Sequence, residues 1–478
     1  MKKILFIIGC WLLVTASYSQ NVSQKLQKAF QQFESDSQLK HAISSLYVID
    51  AKTGEVVFDK NSQVGLAPAS TQKIITSVTA FELLGKDYRY KTEVYIIGRM
   101  GKINKGKLYG ALAIQGYGDP TLGSFRFTSE KKGQFFDSIL FAMNNKGIDT
   151  IYGAIQLHLL NYEYNSIPDG WIWQDIGNYY GAGNWPINWN ENQFDVILSS
   201  KEEAGKPVSV VKLFPEPSGE YGVYNLITAG QKGSGDNAYV YLPVNSKMGV
   251  FTGTIPVGEK SFKITGTIPN PPEFIGDSLR NYLATRKVFI KEKGIQILNN
   301  YPISDRLEKE SELFKELVYT HYSPSLDSII YWFLKKSINL YGEALIKTFA
   351  YEKQGFGSTD SGVAIVRKFW KEKGLDADEL NIYDGSGLSP LNRVTTHVQV
   401  EILKYAKTRG WFPYFYNSLP EYNSMKMKSG TISDVKGFCG YQKSKDGKEY
   451  IFSFLVNNYR GKSSGVVNKM YKVLDELK

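Results

Sequence analysis

The chain has 478 residues, too many for one hydrophobic core, so its length predicts two or three domains. Apolar residues make up 42% and charged residues 22%, an ordinary balance for globular proteins. The 57 basic and 47 acidic side chains give a net charge of +10, which favours binding to anionic polymers. Without a block of like charge or a nucleic-acid motif, the excess predicts no nucleic-acid partner.

Residues 1–20 have the pattern of a signal peptide. Lys2 and Lys3 precede an apolar run, and small residues then provide a cleavage site near 19–20. The run is too short to serve as a membrane anchor, and no later stretch has that length. A lipobox-like stretch ends at Cys10, but this cysteine lies inside the apolar run, which disfavours lipid attachment. We expect an exported, periplasmic protein whose one remaining cysteine, Cys439, is buried.

The periodicity of apolar residues predicts a chain that starts and ends with mixed helix and strand. A helix is expected over 21–40, a hairpin over 42–58 and a helix after Ser70. The stretch 88–275 has short alternating runs between Gly, Asn, Asp and Pro clusters, which indicates mostly strand, with an irregular region at 161–195. Further elements are expected as follows: helices at 277–293, 325–353, 359–373, 394–409 and 465–477, and strands at 437–443 and 450–457.

This order predicts an α+β protein. A helix-and-sheet domain formed by 21–87 and 276–478 would be split by a β-rich insert, 88–275, with two nested subdomains. Insertion of one domain into another is common.

Ser-x-x-Lys occurs at Ser37, Ser70, Ser129, Ser209 and Ser433, so the pattern alone has little meaning. We expect four copies to be chance, on solvated faces. Ser70 differs because it follows Pro68-Ala69 and opens an apolar helix. Residues three apart share a helix face, so Lys73 would stand beside Ser70. A buried amine can act as a base, and a serine hydroxyl needs such a base to become a nucleophile.

Two further short motifs follow. Ser337-Ile338-Asn339 lies within the expected helix 325–353, and Lys428-Ser429-Gly430-Thr431 precedes an apolar strand. The glycine would let a substrate backbone approach, and the lysine and hydroxyls would form a carboxylate-binding edge. Each alone suits an ordinary helix turn or strand end.

In the order Ser-x-x-Lys, Ser-x-Asn, Lys-Ser-Gly, these motifs resemble those of β-lactamases and penicillin-binding proteins. The long stretch between the first two resembles the D-alanyl-D-alanine carboxypeptidase/endopeptidase group of the penicillin-binding protein 4 type. Ser429 stands where Thr is usual and keeps the hydroxyl. Other similar stretches are 68–73, 116–122, 384–389 and 437–441.

The resemblance implies a transpeptidase-like catalytic domain, an antiparallel sheet flanked by helices, that hydrolyses D-alanyl-D-alanine bonds of peptidoglycan stem peptides. Cleavage of D-Ala cross-links is left open. β-Lactams would acylate the same serine as covalent inhibitors, and no cofactor is expected. The implied roles are these: nucleophile Ser70, base Lys73, proton relay Ser337, orientation of Lys73 and substrate by Asn339, carboxylate binding by Lys428, Ser429 and Thr431, and an oxyanion hole from the N–H groups of Ser70 and Thr431.

The segment Trp171–Tyr180 in the insert resembles a Trp-x-Trp-x-Asp stretch of the same family. We expect Asp175 to bind the side-chain amine of a diamino acid in the stem peptide, with Tyr180 packing on its chain. A loop cap is an equally good interpretation of Asp175.

Two other functions remain open. A class A β-lactamase would share the motifs but needs a Glu-x-x-Leu-Asn pattern, and here Ala377 stands in place of the Glu before Leu380-Asn381. A cell-wall-binding protein with an inactive site would not need the motifs intact. Metal chemistry is disfavoured because the four histidines, His41, His158, His321 and His397, lack ligand spacing.

Overall fold

The computed structural model describes residues 22–128, 133–215, 222–299 and 313–478. The predicted signal peptide, with Cys10, lies outside these residues. In the described ranges no helix has the length and apolar character that crossing a bilayer requires.

Helices are numbered here in chain order. They are α1 (22–34), α2 (Lys73–Leu83), α3 (Gln134–Asn145), α4 (Trp173–Ile176), α5 (Pro271–Ala284), α6 (Leu326–Lys336), α7 (Asn339–Gln354), α8 (Thr359–Glu372), α9 (Thr396–Lys407), α10 (Phe412–Ser418) and α11 (Ser463–Leu474). A 3₁₀ turn, Ala69–Gln72, leads directly into α2.

Strands are numbered in the same way. They are β1 (Ile43–Asp50), β2 (Val56–Lys60), β3 (Lys91–Asn104), β4 (Lys107–Gly116), β5 (Thr150–Ile151), β6 (Ile155–His158), β7 (Gln193–Ser199), β8 (Ser209–Phe214), β9 (Gly222–Asn225), β10 (Thr228–Gly230), β11 (Asn237–Tyr241), β12 (Met248–Pro256), β13 (Phe262–Thr267), β14 (Phe289–Ile290), β15 (Ile295–Leu298), β16 (Leu313–Tyr322), β17 (Leu380–Asn381), β18 (Arg393–Val394), β19 (Glu421–Tyr422), β20 (Met425–Ile432), β21 (Val435–Lys443) and β22 (Glu449–Asn457).

The described residues form two compact units. The first contains 22–83, Ile330–Ser337 and Val363–Lys478, and the second contains Leu84–Ile329 and Ile338–Gly362. The sequence predicts a catalytic domain formed by 21–87 and 276–478 and an insert formed by 88–275. These functional domain limits stay a prediction. The compact units differ from these limits by placing 84–87, 276–329 and 338–362 in the second unit.

The first unit is built on an antiparallel sheet with strand order β19-β20-β21-β22-β1-β2. Alternate residues of β1 face opposite sides. Leu46 and Val48 join a core with Phe30 of α1 and Met470 of α11. On the other side, Ser45 Oγ lies 2.6 Å from Thr396 Oγ1 of α9. Helices on both faces explain why β1 is buried nearly throughout.

The second unit contains a sheet with order β14-β5-β4-β3-β16, to which β6 and β15 add, and two smaller sheets. Its core includes Phe135 and Ile139 of α3, which the sequence analysis did not expect within the β-rich stretch. The helix expected at 277–293 is instead α5, which begins earlier because the Asn270 side chain caps its N-terminus before Pro271.

The continuous helix expected over 325–353 is wrong. The structure has two helices, α6 and α7, and Ser337 separates them in a left-handed conformation with φ of +57°. Apolar periodicity continues across the break, so the sequence pattern did not reveal it. The break falls on the first residue of the Ser-Ile-Asn motif.

Candidate active site

Ser70 lies on the 3₁₀ turn that leads into α2. Ala69 before it adopts φ of +46°, a conformation that costs a non-glycine residue about 1–2 kcal/mol. The Pro68 carbonyl oxygen accepts hydrogen bonds from Thr71 N and from Thr71 Oγ1, which hold the turn closed. Behind it, Ile74 and Ile75 are fully buried, whereas Ser70 remains partly exposed. Strain of this kind is typical of residues that a fold holds in place for function.

Lys73 directs its amine at the nucleophile. Its Nζ donates to Ser70 Oγ at 2.9 Å and to the Ser386 carbonyl oxygen at 2.7 Å, and the side chain is fully buried. The Phe333 ring of α6 lies 5.7 Å from the same nitrogen. Residues three apart eclipse in a 3₁₀ turn, so the local geometry brings the two groups together. The arrangement is that of a serine beside a general base.

The loop 384–392 supports this pair. The Asp384 carboxylate accepts hydrogen bonds from Gly387 N at 2.8 Å and from Ser389 N at 2.7 Å. Gln72 Nε2 donates to the carbonyl oxygen of Asp384 at 2.5 Å. Gly387 has φ of +82°, and a Cβ there would lie 2.0 Å from the Ala69 carbonyl oxygen. The loop therefore holds the Ser386 carbonyl against Lys73.

Strand β20 passes immediately beside the nucleophile. A Cβ on Gly430 would lie 2.6 Å from the Pro68 carbonyl oxygen and 2.8 Å from Ser70 N. The close approach requires glycine at this position. β20 pairs with β19 only through Lys426 and Met425, so among the described strands none covers the outer edge of 428–431.

Lys428 is buried on β20, Ser429 is half-buried and Thr431 is exposed. Burial lowers the pKa of Lys428 to about 7; nearby Lys436 acts in the same direction and Cys439 in the opposite one. Lys428 Nζ donates to the Ser429 carbonyl oxygen at 2.7 Å. A buried ammonium beside accessible hydroxyls forms a place where an anion would bind.

The Ser-Ile-Asn motif is divided between the two units. Ser337 ends the α6 segment of the first unit, four residues after Phe333. Asn339 is the first residue of α7 in the second unit, where its Nδ2 donates to the Tyr180 carbonyl oxygen at 2.7 Å.

Asp175 and Tyr180 also lie in the second unit. Burial raises the pKa of Asp175 to about 6, and a hydrogen bond from the Tyr180 hydroxyl opposes this shift. Burial, followed by the charge of Asp175, raises the pKa of Tyr180. In the same segment, the rings of Trp173 and Tyr179 are exposed. The chain thus places a half-buried carboxylate beside the Tyr180 hydroxyl, in a segment that also carries exposed aromatic rings.

Comparison with known proteins identifies the family. The model of the D-Ala-D-Ala carboxypeptidase 3 (S13) family matches residues 24–477. The chain belongs to this family. It is a serine D-Ala-D-Ala carboxypeptidase that acts on peptidoglycan, as predicted. Membership of this family favours neither of the two alternative functions, a β-lactamase or an inactive cell-wall-binding protein.

Relatives and solved structures agree with this S13 assignment. The chain is 26% identical over 452 residues to the D-alanyl-D-alanine carboxypeptidase of Actinomadura sp. (strain R39), covering 89% of this chain and 80% of that protein. It is similar to the crystal structure of penicillin-binding protein 4 (dacB) from Haemophilus influenzae, with a TM-score of 0.76 and 19% identity over 96% of this chain and 98% of that one. The same protein complexed with a novel β-lactam gives a TM-score of 0.71 and 18% identity over 94% and 98%. The predicted α+β, transpeptidase-like fold is confirmed.

In the S13 carboxypeptidase one lysine that contacts a candidate site residue was missed by the sequence analysis. Lys436 belongs to the Ser433 copy of Ser-x-x-Lys, which was expected on a solvated face. This expectation is wrong for Lys436, which is only 8% exposed and contacts Thr431, although it holds for the exposed pairs at Ser37 and Ser209. The Ser129 copy lies outside the described residues. Lys436 lies in β21, where every residue from Val435 to Gln442 is buried, and its place beside this apolar run was the available signal.

Proposed function

We propose that Ser70 is the nucleophile of this S13 carboxypeptidase and forms an acyl-enzyme with the penultimate D-Ala of a stem peptide. The observation that carries the proposal is the 2.9 Å contact between Lys73 Nζ and Ser70 Oγ. Lys73 takes the hydroxyl proton while Oγ bonds to the carbonyl carbon. When the intermediate collapses, the C–N bond breaks and the leaving D-Ala amine receives a proton through Ser337. Water then cleaves the ester and regenerates Ser70.

The N–H groups of Ser70 and Thr431 stabilise the oxyanion in this proposal. The contact of Gly430 with Ser70 N supports it, because it brings the backbone of β20 next to the nucleophile. A donor of this kind contributes about 3 kcal/mol to the transition state.

Lys428, Ser429 and Thr431 hold the terminal carboxylate of the peptide. Burial of Lys428 supports this assignment, as does the outer edge of 428–431, which no described strand covers. Asn339 orients Lys73 and the substrate amide. Its Nδ2 donates to the Tyr180 carbonyl oxygen, which fixes the orientation of the Asn339 amide at the start of α7.

β-Lactams acylate Ser70 by the same route, and the complex of the Haemophilus influenzae relative with a β-lactam supports this proposal. Labelling with a fluorescent penicillin tests it. The unaltered protein and Ser37→Ala, whose serine is exposed in another Ser-x-x-Lys copy, should give a labelled band, and Ser70→Ala should not. Undiminished labelling of folded Ser70→Ala would overturn the assignment.

Asp175 binds the side-chain amine of a diamino acid in the stem peptide, with Tyr180 packing on the same chain. Its half-buried carboxylate supports this role. Asp175→Asn should abolish the preference for a peptide with a free side-chain amine over its N-acetylated form. Asp195→Asn, a change in the same unit, should keep the preference. Equal preference in Asp175→Asn and the unaltered enzyme would refute the role.

The enzyme acts in the periplasm after loss of residues 1–20. Intact mass of the protein purified from the periplasmic fraction tests this proposal, and a mature chain that retains residues 1–20 would contradict it. Digestion of purified muropeptides should remove terminal D-Ala from pentapeptide monomers. Conversion of cross-linked dimers to monomers in the same digest would add endopeptidase activity.

A further inference from the structure

Lys436 lies on β21 directly opposite Thr431 of β20. Its Nζ donates to Thr431 Oγ1 at 2.8 Å, and the Phe438 ring lies 4.8 Å from the same nitrogen. The lysine is only 8% exposed, whereas Thr431 is exposed. A buried cation thus stands behind an accessible hydroxyl.

The hydrogen bond fixes how Thr431 can act. A threonine hydroxyl has one hydrogen and two lone pairs. Because Oγ1 accepts from Lys436, the hydroxyl hydrogen of Thr431 is left to point away from the lysine. The hydroxyl is therefore prepared to donate to a group outside the sheet.

The charges near Thr431 are not balanced. Lys428 Nζ donates to a backbone carbonyl oxygen and Lys436 Nζ to a hydroxyl, so among the described residues neither amine is paired with a carboxylate. Burying an ammonium without a counter-ion is unfavourable, and a bound anion would relieve the cost for both lysines.

We propose that Lys436 is a positioning residue that holds the Thr431 hydroxyl as a donor to the substrate's terminal carboxylate and so sets the preference for an anionic C-terminus. This inference rests on the carboxylate role of Thr431 proposed above. It assigns to Lys436 a function separate from proton transfer at Ser70.

The ionisation of the two lysines agrees with this role. Burial lowers the pKa of Lys436 to about 8 and that of Lys428 to about 7. Thr431 and Lys428 of β20 and Phe438 and Cys439 of β21 are the groups near them. A bound carboxylate favours the charged form of both lysines, so binding should take up protons at pH 8.

The experiment compares two N-acylated peptides that end in D-Ala-D-Ala, one with a free C-terminal carboxylate and one with a carboxamide. Lys436→Met should raise KM for the carboxylate peptide about tenfold, the size expected for a charge-assisted hydrogen bond, with little change in kcat. The amide peptide should be affected much less, so the preference falls. Lys436→Arg should restore most of the preference. Lys443→Met, an exposed lysine at the end of the same strand, is the control.

A double variant tests the route through Thr431. The effect of Lys436→Met on KM should be smaller in a Thr431→Val background than in the unaltered enzyme. An equal loss for both peptides, or an equal effect in both backgrounds, would overturn the inference. Penicillin labelling of Ser70 in the same variants separates the two proposals. If the Lys436 variants are labelled but keep the preference for the carboxylate peptide, only the positioning role of Lys436 is refuted. If Ser70→Ala is labelled, the proposed function itself is refuted.

Discussion

Gly430 and Ser70 are in such close contact that a Cβ on the glycine would lie 2.8 Å from the backbone nitrogen of the serine. The two residues are far apart in the sequence, on β20 and on the turn before α2. Their contact places the strand of the third motif against the nucleophile. The strand can lie this close to the turn because Gly430 has no side chain.

Gly430→Ala should therefore push β20 away from the turn. Displacement of about 1 Å can reduce catalysis by about 10², so we expect a loss of this size in the rate of penicillin acylation. Gly410→Ala, at a glycine with open space around it, should leave the rate unchanged. Stopped-flow acylation measures both, and an unchanged rate in folded Gly430→Ala would contradict the close packing.

Gly387 and Gly447 allow a matched comparison, because φ is +82° at one and +86° at the other. A Cβ at 387 would lie 2.0 Å from the Ala69 carbonyl oxygen, while nothing lies within 4 Å of one at 447. Gly447→Ala should lower the free energy of unfolding by about 1–2 kcal/mol from backbone strain. Gly387→Ala should lose about 1–3 kcal/mol more from overpacking and should also slow acylation. Urea unfolding measures the difference. Equal losses in the free energy of unfolding would show that the loop 384–392 can shift to accommodate the added methyl group at no cost.

Lys73→Met keeps most of the buried side-chain volume and removes the amine. We expect kcat to fall by about 10²–10⁴, the usual contribution of a general base. Lys40→Met, in the exposed Ser37 copy of the pattern, should retain full kcat. Steady-state hydrolysis of a D-Ala-D-Ala peptide measures both, and a loss under threefold in Lys73→Met would assign the base to another group.

The ionisation of Lys428 predicts a basic limit to activity. Because burial lowers its pKa to about 7, the free enzyme loses the ammonium as pH rises above that value. If the charge holds the substrate carboxylate, kcat/KM should decline above about pH 7, and Lys428→Arg should move the decline to higher pH because arginine stays charged. The pH profile of kcat/KM checks this, and a flat profile to pH 9 would argue against the role.

The same shift affects stability with a definite sign. The native state releases the Lys428 proton near pH 7, while the unfolded chain holds it to about 10.5. Between these values the unfolded state binds more protons, so this lysine makes the free energy of unfolding rise with pH. Lys428→Met should reduce that rise, which urea unfolding at pH 7 and pH 9 would measure.

Cys439 should be inert in the folded enzyme. It is fully buried on β21, and burial raises the pKa of its thiol. A thiol reagent should therefore label it only as the protein unfolds, and labelling should follow the unfolding curve in urea. Rapid labelling under native conditions would mean that β21 opens locally.

Local chemistry explains what the sequence could predict. Three short motifs, each within a few residues, indicated serine acyl transfer, and apolar periodicity located α2, β21 and β22 closely. Short-range patterns of this kind depend on the turn or strand in which they lie. Such patterns can therefore be recognised in the sequence without knowledge of the rest of the fold.

Tertiary structure decided the features that depend on residues distant in sequence. The Ser386 carbonyl meets Lys73 because Asp384 folds its loop against Gln72. Lys436 meets Thr431 only through the pairing of β20 with β21, so an apparently random Ser-x-x-Lys copy supplies a lysine that contacts the third motif. The break at Ser337 interrupts an apolar pattern that by itself favours one helix. The motifs in the sequence determined which chemistry is available, whereas contacts across the fold decided which side chains support it, because packing and strand register are set by the whole chain.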